Sequence, residues 1–256
     1  MEFYVSFIPQ DLKHNFSSVC IFIDVLRASS SIVSLFDKGC KEVLLTDSEE
    51  KLVEIKNRNN SKVLICSENL LGERLDIADF SPSLIEINVL GDLTDTTVVM
   101  KTTNGTAGIH KLIEQGFEHI FIGSMMNSKQ VATEAVSLAA ELGFGINVVC
   151  AGRNNGKTYT IDDIYCAAKI VQYAKDATRN NNIEAKTTDS VIIAEKLLAS
   201  YLDIATAFEA SASGNTMRKI NCHQDIALCA RDNITKTVPK VAGINDEGLI
   251  VIKVFS

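Results

Sequence analysis

Short runs of apolar residues alternate with amphipathic stretches along the first 180 residues of the chain. The apolar runs are rich in valine and isoleucine, as in strands that are covered on both faces. The predicted strands are Phe3–Phe7, Val19–Val25, Val43–Thr46, Val63–Ser67, Thr97–Thr102, Ile120–Gly123 and Asn147–Cys150. The predicted helices between them are Ser30–Lys38, Glu49–Arg58, Thr106–Gln115, Ser128–Leu142 and Ile161–Thr178. This alternation predicts the α/β class, with an α/β/α layered sheet.

The pattern changes at Asn180, where a polar segment begins. Three helical patterns and a last strand in "GLIVIKVF" follow it; the helices are Ser190–Tyr201, Ile204–Ala212 and Asp225–Arg231. A length of 256 residues fits one large α/β domain. We predict a single domain over 1–256. Within it, the polar segment 180–188 separates a repeat-containing core, 1–180, from a helical C-terminal part with the last strand, 189–256.

One β-turn-α-β unit is predicted to occur twice in the core. Shifted by 77 residues, "IFIDVLRASSSIVSLFDKGCKEVLL" aligns without a gap with "VVMKTTNGTAGIHKLIEQGFEHIFI". Strand, polar turn, helix, glycine and second strand fall in register, although only three pairs are identical: Ile32/Ile109, Leu35/Leu112 and Gly39/Gly116. The alternative is a chance agreement between two α/β patterns.

The composition limits the classes of binding partner and the cellular compartment that we expect. The net charge of −7 argues against nucleic-acid binding, which needs basic patches on phosphates. No apolar run reaches about 18 residues, so no membrane span is expected. Seven cysteines at irregular spacings favour free thiols in a reducing compartment, and we expect a cytoplasmic protein. Homo-oligomerisation stays open.

Polar turns follow three of the predicted strands: "DVLRASS" (24–30), "KTTNGTAG" (101–108) and "AGRNNGK" (151–157). In an open α/β sheet, the carboxyl ends of strands and the adjoining helix N-termini form the ligand crevice, which suits an anion. The alternative is that Ser29 or Ser30 merely caps a helix and that Arg27 is a surface charge. The recurrence of the same topology favours an anion site.

Several carboxylates lie near these strand ends and are candidate ligands of a hard metal such as Mg²⁺, which prefers one or two carboxylates, waters and substrate oxygens. They are Asp24, Glu73, Asp76, Asp79, Asp162 and Asp163. For Asp162 and Asp163, an equal alternative is that they complement the dipole at the start of a helix. Thr160 and Asp163 are also spaced as a capping box.

The motifs "IDVLRASSSIV", "GER", "SPSLIE", "TTNGTAGI", "AGR…TIDDIYCA" and "DNITKTVP", in this order, resemble those of the 2-phosphosulfolactate phosphatase family. The resemblance implies a three-layer α/β/α fold with a mixed, largely parallel sheet. It also implies Mg²⁺-dependent hydrolysis of 2-phosphosulfolactate to sulfolactate and phosphate, a step toward coenzyme M. The glycine-rich stretch typical of the family after "GER" is replaced here by the shorter "LDIADFSPS".

The site residues follow from the resemblance, motif by motif. Asp24, Glu73 and Asp163 are the implied catalytic residues and metal ligands. The implied substrate-binding residues are Arg27, Ser29, Arg74, Asn104, Gly105, Thr106 and Arg153. We expect the arginines to neutralise a small anionic phosphate ester, and the 104–106 turn to offer hydrogen-bond donors to the phosphoryl oxygens.

Two other functions stay open: a non-catalytic protein that binds a small anion, and a phosphatase for a different phospho-acid. If the two repeat units are copies, their turns are equivalent. We therefore expect Arg27, Asn104 and Arg153 to converge on one pocket, with Asp24 and Glu73 inside it. This expectation assumes parallel strands that lie one or two positions apart in the sheet.

Overall fold

The computed structural model describes residues 1–12, 17–58 and 60–255. Its strands are β1 Glu2–Ser6, β2 Ser18–Ile23, β3 Glu42–Leu45, β4 Val63–Ser67, β5 Thr97–Lys101, β6 Ile120–Gly123, β7 Gly145–Cys150, β8 Lys186–Thr187, β9 Pro239–Ile244 and β10 Ile250–Val254. Its α-helices are α1 Ala28–Asp37, α2 Glu49–Asn57, α3 Leu84–Val89, α4 Gly105–Glu114, α5 Ser128–Leu142, α6 Ile161–Asn180, α7 Asp189–Leu198, α8 Ile204–Ala210, α9 Ala212–Lys219 and α10 Gln224–Cys229.

The strands form one mixed sheet in the order β4-β5-β3-β10-β9-β6-β2-β7-β1-β8. Strands β4, β5 and β3 are parallel to one another, and so are β6, β2, β7, β1 and β8. The hairpin of β9 and β10 lies between the two parallel blocks and pairs antiparallel with both. All residues of β2 are buried, as expected for a strand covered by helices on both faces. The predicted three-layer fold with a mixed, largely parallel sheet is confirmed.

The two repeat units exchange strands. The first unit is β2-α1-β3 and the second is β5-α4-β6. Strand β2 pairs with β6, and β3 pairs with β5, so that each unit contributes one strand to either block. Both helices end in the same way: Gly39 and Gly116 have φ of +85° and +83°, and their N–H groups donate to the carbonyls of Phe36 and Ile113. This common geometry supports the internal repeat.

The strand exchange corrects one assumption about the sheet. Strands β2 and β5 are five positions apart and run in opposite directions, because three antiparallel steps separate them. The assumption that they are parallel near neighbours was therefore wrong. Their turns nevertheless meet, because the N-terminal ends of α1 and α4 contact each other.

The sequence pattern located most of the elements. All seven predicted core strands are present within one or two residues of the predicted bounds, as are the five predicted core helices. The predicted helix 204–212 is wrong in part, because Ser211 is extended and begins a new helix, α9. The pattern also missed the short strand β8 and the strand β9. In the described part of the chain, no helix has both the length and the hydropathy to cross a bilayer.

Close packing between the repeat units requires a glycine in α4. A methyl group built onto Gly108 would lie 2.5 Å from two ring carbons of Phe22, which is itself buried in β2. We expect Gly108→Ala to lower the free energy of unfolding by roughly 1–3 kcal/mol, because the added methyl group overlaps a buried ring that must then move. Denaturant unfolding measures this change.

Gly91→Ala is the matched control, because no atom of the described residues lies within 4 Å of the added methyl group and the backbone there has no positive φ. We expect it to change stability by less than about 0.5 kcal/mol. Equal stability of the two variants would contradict the packing described here.

Candidate active site

Three loops that follow strands meet at one place, here named the loop junction. They are residues 24–27 after β2, 102–104 after β5 and 151–160 after β7. Each loop leads directly into a helix, α1, α4 and α6 respectively, so three helix N-termini border the same region. Positive dipole ends at such a place favour an anion.

Contacts between the loops show how closely they approach. A methyl group built onto Gly105 would lie 2.7 Å from Cβ of Ala28 and 2.9 Å from Oδ2 of Asp24. The backbone N–H of Asn155 donates to Oδ1 of Asn104 at 3.3 Å. Only a glycine at position 105 therefore permits this approach of the first two loops.

Asp24 is a buried carboxylate at the centre of the junction. Burial and the nearby carboxylates of Glu68 and Asp162 raise its pKa to about 7. The backbone N–H of Ala28 and the guanidinium of Arg153 oppose this rise. Three carboxylates and one arginine therefore lie near one another, and Asp24 can exchange a proton close to neutral pH.

Arg27 is buried and bound to carboxylates of the protein itself. Its Nη2 donates to Oε2 of Glu68 at 2.9 Å and to the carbonyl of Gly72 at 2.7 Å, and its Nη1 donates to Oδ2 of Asp225 at 3.2 Å. Burial alone would lower the pKa of Arg27, but Glu68 and Asp225 raise it above its ordinary value. The guanidinium therefore stays charged inside the protein.

Asp163 joins two of the loops through its carboxylate. Its Oδ1 accepts the backbone N–H of Val25 at 2.9 Å, and its Oδ2 accepts that of Gly152 at 3.0 Å. Burial, Asp162 and Asp24 raise the pKa of Asp163 well above its ordinary value. The predicted capping box was wrong, because the side chain of Thr160 makes no capping hydrogen bond.

Asp162, its neighbour on α6, has an unsatisfied oxygen. It is 1 % exposed, and Oδ1 has no hydrogen-bond partner among the described residues. Burial raises its pKa, whereas hydrogen bonds with Ser213 and Ser211 and the charge of Arg153 lower it. A buried oxygen without a partner is costly, so it marks a place for a cation or a donor from a ligand.

The small polar residues of the first two turns hold the loops rather than cap the helices. Oγ of Ser29 accepts the backbone N–H of Asp24, and Oγ1 of Thr106 accepts that of Thr102. Neither Ser29 nor Ser30 is an N-cap, because α1 begins earlier, at Ala28. Ser29 and Thr106 are equivalent positions of the repeat, and both are buried.

The structure does not bring Glu73 and Arg74 into this cluster. Glu73 is exposed, and its carboxylate accepts a hydrogen bond from Nδ2 of Asn69 at 3.2 Å. Arg74 is also exposed and lies 3.7 Å from the carboxylate of Glu86. Their implied roles in metal and substrate binding stay predictions.

Sequence reasoning overlooked Glu68 and Asp225. Glu68 directly follows β4, and this position at the carboxyl end of a strand could have indicated it. Asp225 lies in a helix near the C-terminus, and no local motif distinguishes it. Its place beside Arg27 depends on a contact across 198 residues.

The carboxylates suited to a cation are those of Asp24, in the junction, and of Glu68 and Asp162, which lie beside it. In the described ranges, no three His, Cys, Asp or Glu side chains form a ready-made metal cluster. Mg²⁺ does not require one, because it retains several waters and takes its remaining ligands from one or two carboxylates and from substrate oxygens. The unsatisfied Oδ1 of Asp162 and the mutual repulsion at Asp24 fit such an ion.

Comparisons with a family model and with individual known proteins point to the same family. A family model described as 2-phosphosulpholactate phosphatase matches residues 6–243. A relative from Clostridium novyi is 29% identical over 221 residues, which cover 86% of this chain and 87% of the relative. One from Deinococcus radiodurans is 27% identical over 246 residues, covering 96% and 95%. Both relatives are named probable 2-phosphosulfolactate phosphatase.

The crowded carboxylates predict an unusual response of stability to pH. The folded-state pKa of Asp24 lies above its unfolded value of 3.8, so the folded protein binds this proton more tightly. The free energy of unfolding should therefore fall as pH rises from about 4 to about 7. We expect Asp24→Asn to be more stable than the wild type at pH 8 by on the order of 2–4 kcal/mol.

Urea unfolding without divalent cations, at pH 5 and pH 8, measures this effect. The gain from Asp24→Asn should be smaller at pH 5, where more of the wild-type carboxyl is protonated. Asp76→Asn is the control, because Asp76 is exposed and should change stability little at either pH. A variant at Asp24 that is less stable than the wild type at pH 8 would refute the raised pKa.

Proposed function

The chain belongs to the 2-phosphosulfolactate phosphatase family, and we propose that it hydrolyses 2-phosphosulfolactate to sulfolactate and phosphate with the help of Mg²⁺. The observation that carries the proposal is the loop junction, where three carboxylates and Arg153 lie among three helix N-termini. Phosphoryl transfer depends mainly on positioning and electrostatic stabilisation, and these groups supply both.

Arg153 is the residue best placed to bind the phosphoryl group. Its side chain is half-buried, and its charge acts on both Asp24 and Asp162. Its backbone is fixed, because its N–H donates to the carbonyl of Thr158 at 2.8 Å and its carbonyl accepts from Lys157 and Thr158. A guanidinium carried on a fixed backbone can form two parallel hydrogen bonds to phosphate oxygens.

Asp24, Glu68 and Asp162 would hold the Mg²⁺ ion. When bound, the ion would neutralise charge on the phosphoryl oxygens and polarise the bond to phosphorus. Asp163 would serve by keeping the loops after β2 and β7 together, since both of its oxygens accept backbone N–H groups. In the net reaction one water is consumed, its oxygen ends on phosphorus, and one of its protons ends on the sulfolactate oxygen.

The family resemblance also suggests a place for the reaction. We propose that the sulfolactate contributes to coenzyme M formation and that the protein acts in the cytoplasm. The seven cysteines support the second point, because all are free thiols and six of them are buried.

The two alternatives predict different behaviour. A protein that only binds an anion gains nothing from three clustered carboxylates, which repel the ligand, and the junction therefore favours an enzyme. A phosphatase for a different phospho-acid would have the same junction. Trials with related phospho-acids under the same conditions distinguish this case.

The direct test measures phosphate release from 2-phosphosulfolactate by the purified protein, with Mg²⁺ and with a chelator. We expect turnover that depends on Mg²⁺ and is lost in Asp24→Asn. Release of phosphate from another phospho-acid alone would replace the proposed substrate. No release from any of them, together with intact anion binding, would favour the non-catalytic alternative.

Two glutamates that are five residues apart give a matched pair of variants. We expect Glu68→Gln to lower kcat/KM by about 100-fold, as loss of a group that stabilises the transition state commonly does. Glu73→Gln makes the same chemical change on an exposed turn and should retain near wild-type kcat/KM. The opposite ranking would return the metal-binding role to Glu73.

A further inference from the structure

Asp225 lies outside the loop junction yet is bonded to Arg27. It is 0 % exposed, on the short helix α10, and its Oδ2 accepts from Nη1 of Arg27 at 3.2 Å. Its other oxygen, Oδ1, accepts from Oγ of Ser83 at 3.0 Å and from the backbone N–H of Ile85 at 3.2 Å. These three hydrogen bonds fix the position of the Asp225 carboxylate, and one of them holds the guanidinium of Arg27.

The two carboxylates that share Arg27 differ in how easily they can leave it. The side chain of Asp225 is completely buried and is tied to α3, whereas that of Glu68 is 15% exposed. Glu68 contacts Nη2 of Arg27 and also lies close enough to Asp24 to act on its charge. Glu68 therefore connects the buried pair to the loop junction, and it is the more accessible of the two partners of Arg27.

A buried ion pair is a poor choice for stability alone. Apolar side chains of similar volume often stabilise a protein as well or better, because they carry no desolvation cost. A guanidinium whose charge binds a ligand cannot be replaced by an apolar side chain. It also needs a permanent counter-ion, so that it stays oriented when its second partner is replaced.

We propose that Asp225 is a positioning residue that holds the Arg27 guanidinium beside the loop junction, so that an anionic group of the substrate can replace Glu68 on Nη2. The inference rests on the proposed function for the identity of the substrate. It assigns Asp225 no contact with the substrate, and it makes Arg27 a binding group only after Glu68 has moved.

The test compares Asp225→Asn with Ser83→Ala. The asparagine keeps an acceptor for Ser83 and Ile85 but lacks the negative charge that pairs with the guanidinium of Arg27. The alanine removes one hydrogen bond to Asp225 and leaves the Arg27 contact in place. Both variants should lower Tm. Only Asp225→Asn should raise KM for 2-phosphosulfolactate and Kd for inorganic phosphate, each by about tenfold, with a smaller change in kcat.

Equal effects of the two variants on KM and Kd would overturn the proposal, because Asp225 would then be merely structural. Phosphate binding is measured by calorimetry and needs no turnover. If the wild type binds phosphate but hydrolyses nothing, the proposed function fails, while the comparison of Kd values still tests Asp225.

Glu68→Gln provides a second test if Asp225→Asn does not fold. Measured without divalent cations, phosphate should bind to this variant roughly threefold more tightly or better, because a charged competitor for Arg27 has been removed. Unchanged or weaker phosphate binding would overturn the proposal that an anion replaces Glu68 on Arg27.

Discussion

The exchange of strands between the two repeat units is the constraint on which the site depends. Each unit begins in one parallel block and ends in the other, so α1 and α4 cross between the blocks. Their N-terminal ends meet where the exchange takes place, and Gly105 allows contact with Ala28 and Asp24. A side chain at position 105 would separate the two turns, and with them the groups that we assign to binding and catalysis.

The loop junction concentrates charge where the fold would be more stable without it. Asp24, Asp162 and Asp163 are all buried, and each carboxyl has a pKa above its ordinary value because of its burial and, for Asp24 and Asp163, the other carboxylates. Such an arrangement lowers stability and persists where function requires it. Asp163 recovers part of this cost through two backbone hydrogen bonds that join separate loops.

The sequence pattern predicts the local features of this fold better than its long-range contacts. Apolar runs and helix periodicity located the core elements, because these patterns depend on residues that are close in the sequence. The 77-residue shift identified the repeat, because each unit repeats the same order of strand, turn and helix. The strand exchange depends on which strands pair, and no local signal specifies that pairing. The same limit applies to the site. Asp24 and Asp163 were found because they stand beside strand ends or helix starts, whereas Asp225 reaches Arg27 only through tertiary packing.

The segment after Arg74 shows why a motif alone does not place a side chain in a site. The backbone N–H of Asp79 donates to the carbonyl of Ile65, and Oδ2 of Asp79 accepts the N–H of Ile65 at 2.8 Å. Phe80 is buried in the core and pairs with β4. The segment thus runs along β4 and is anchored there. Gly72, which lies before it, is the residue whose carbonyl contacts Arg27. The turn 68–73, which carries Glu68 and the carbonyl of Gly72, therefore reaches Arg27, whereas the segment after Arg74 is held against β4.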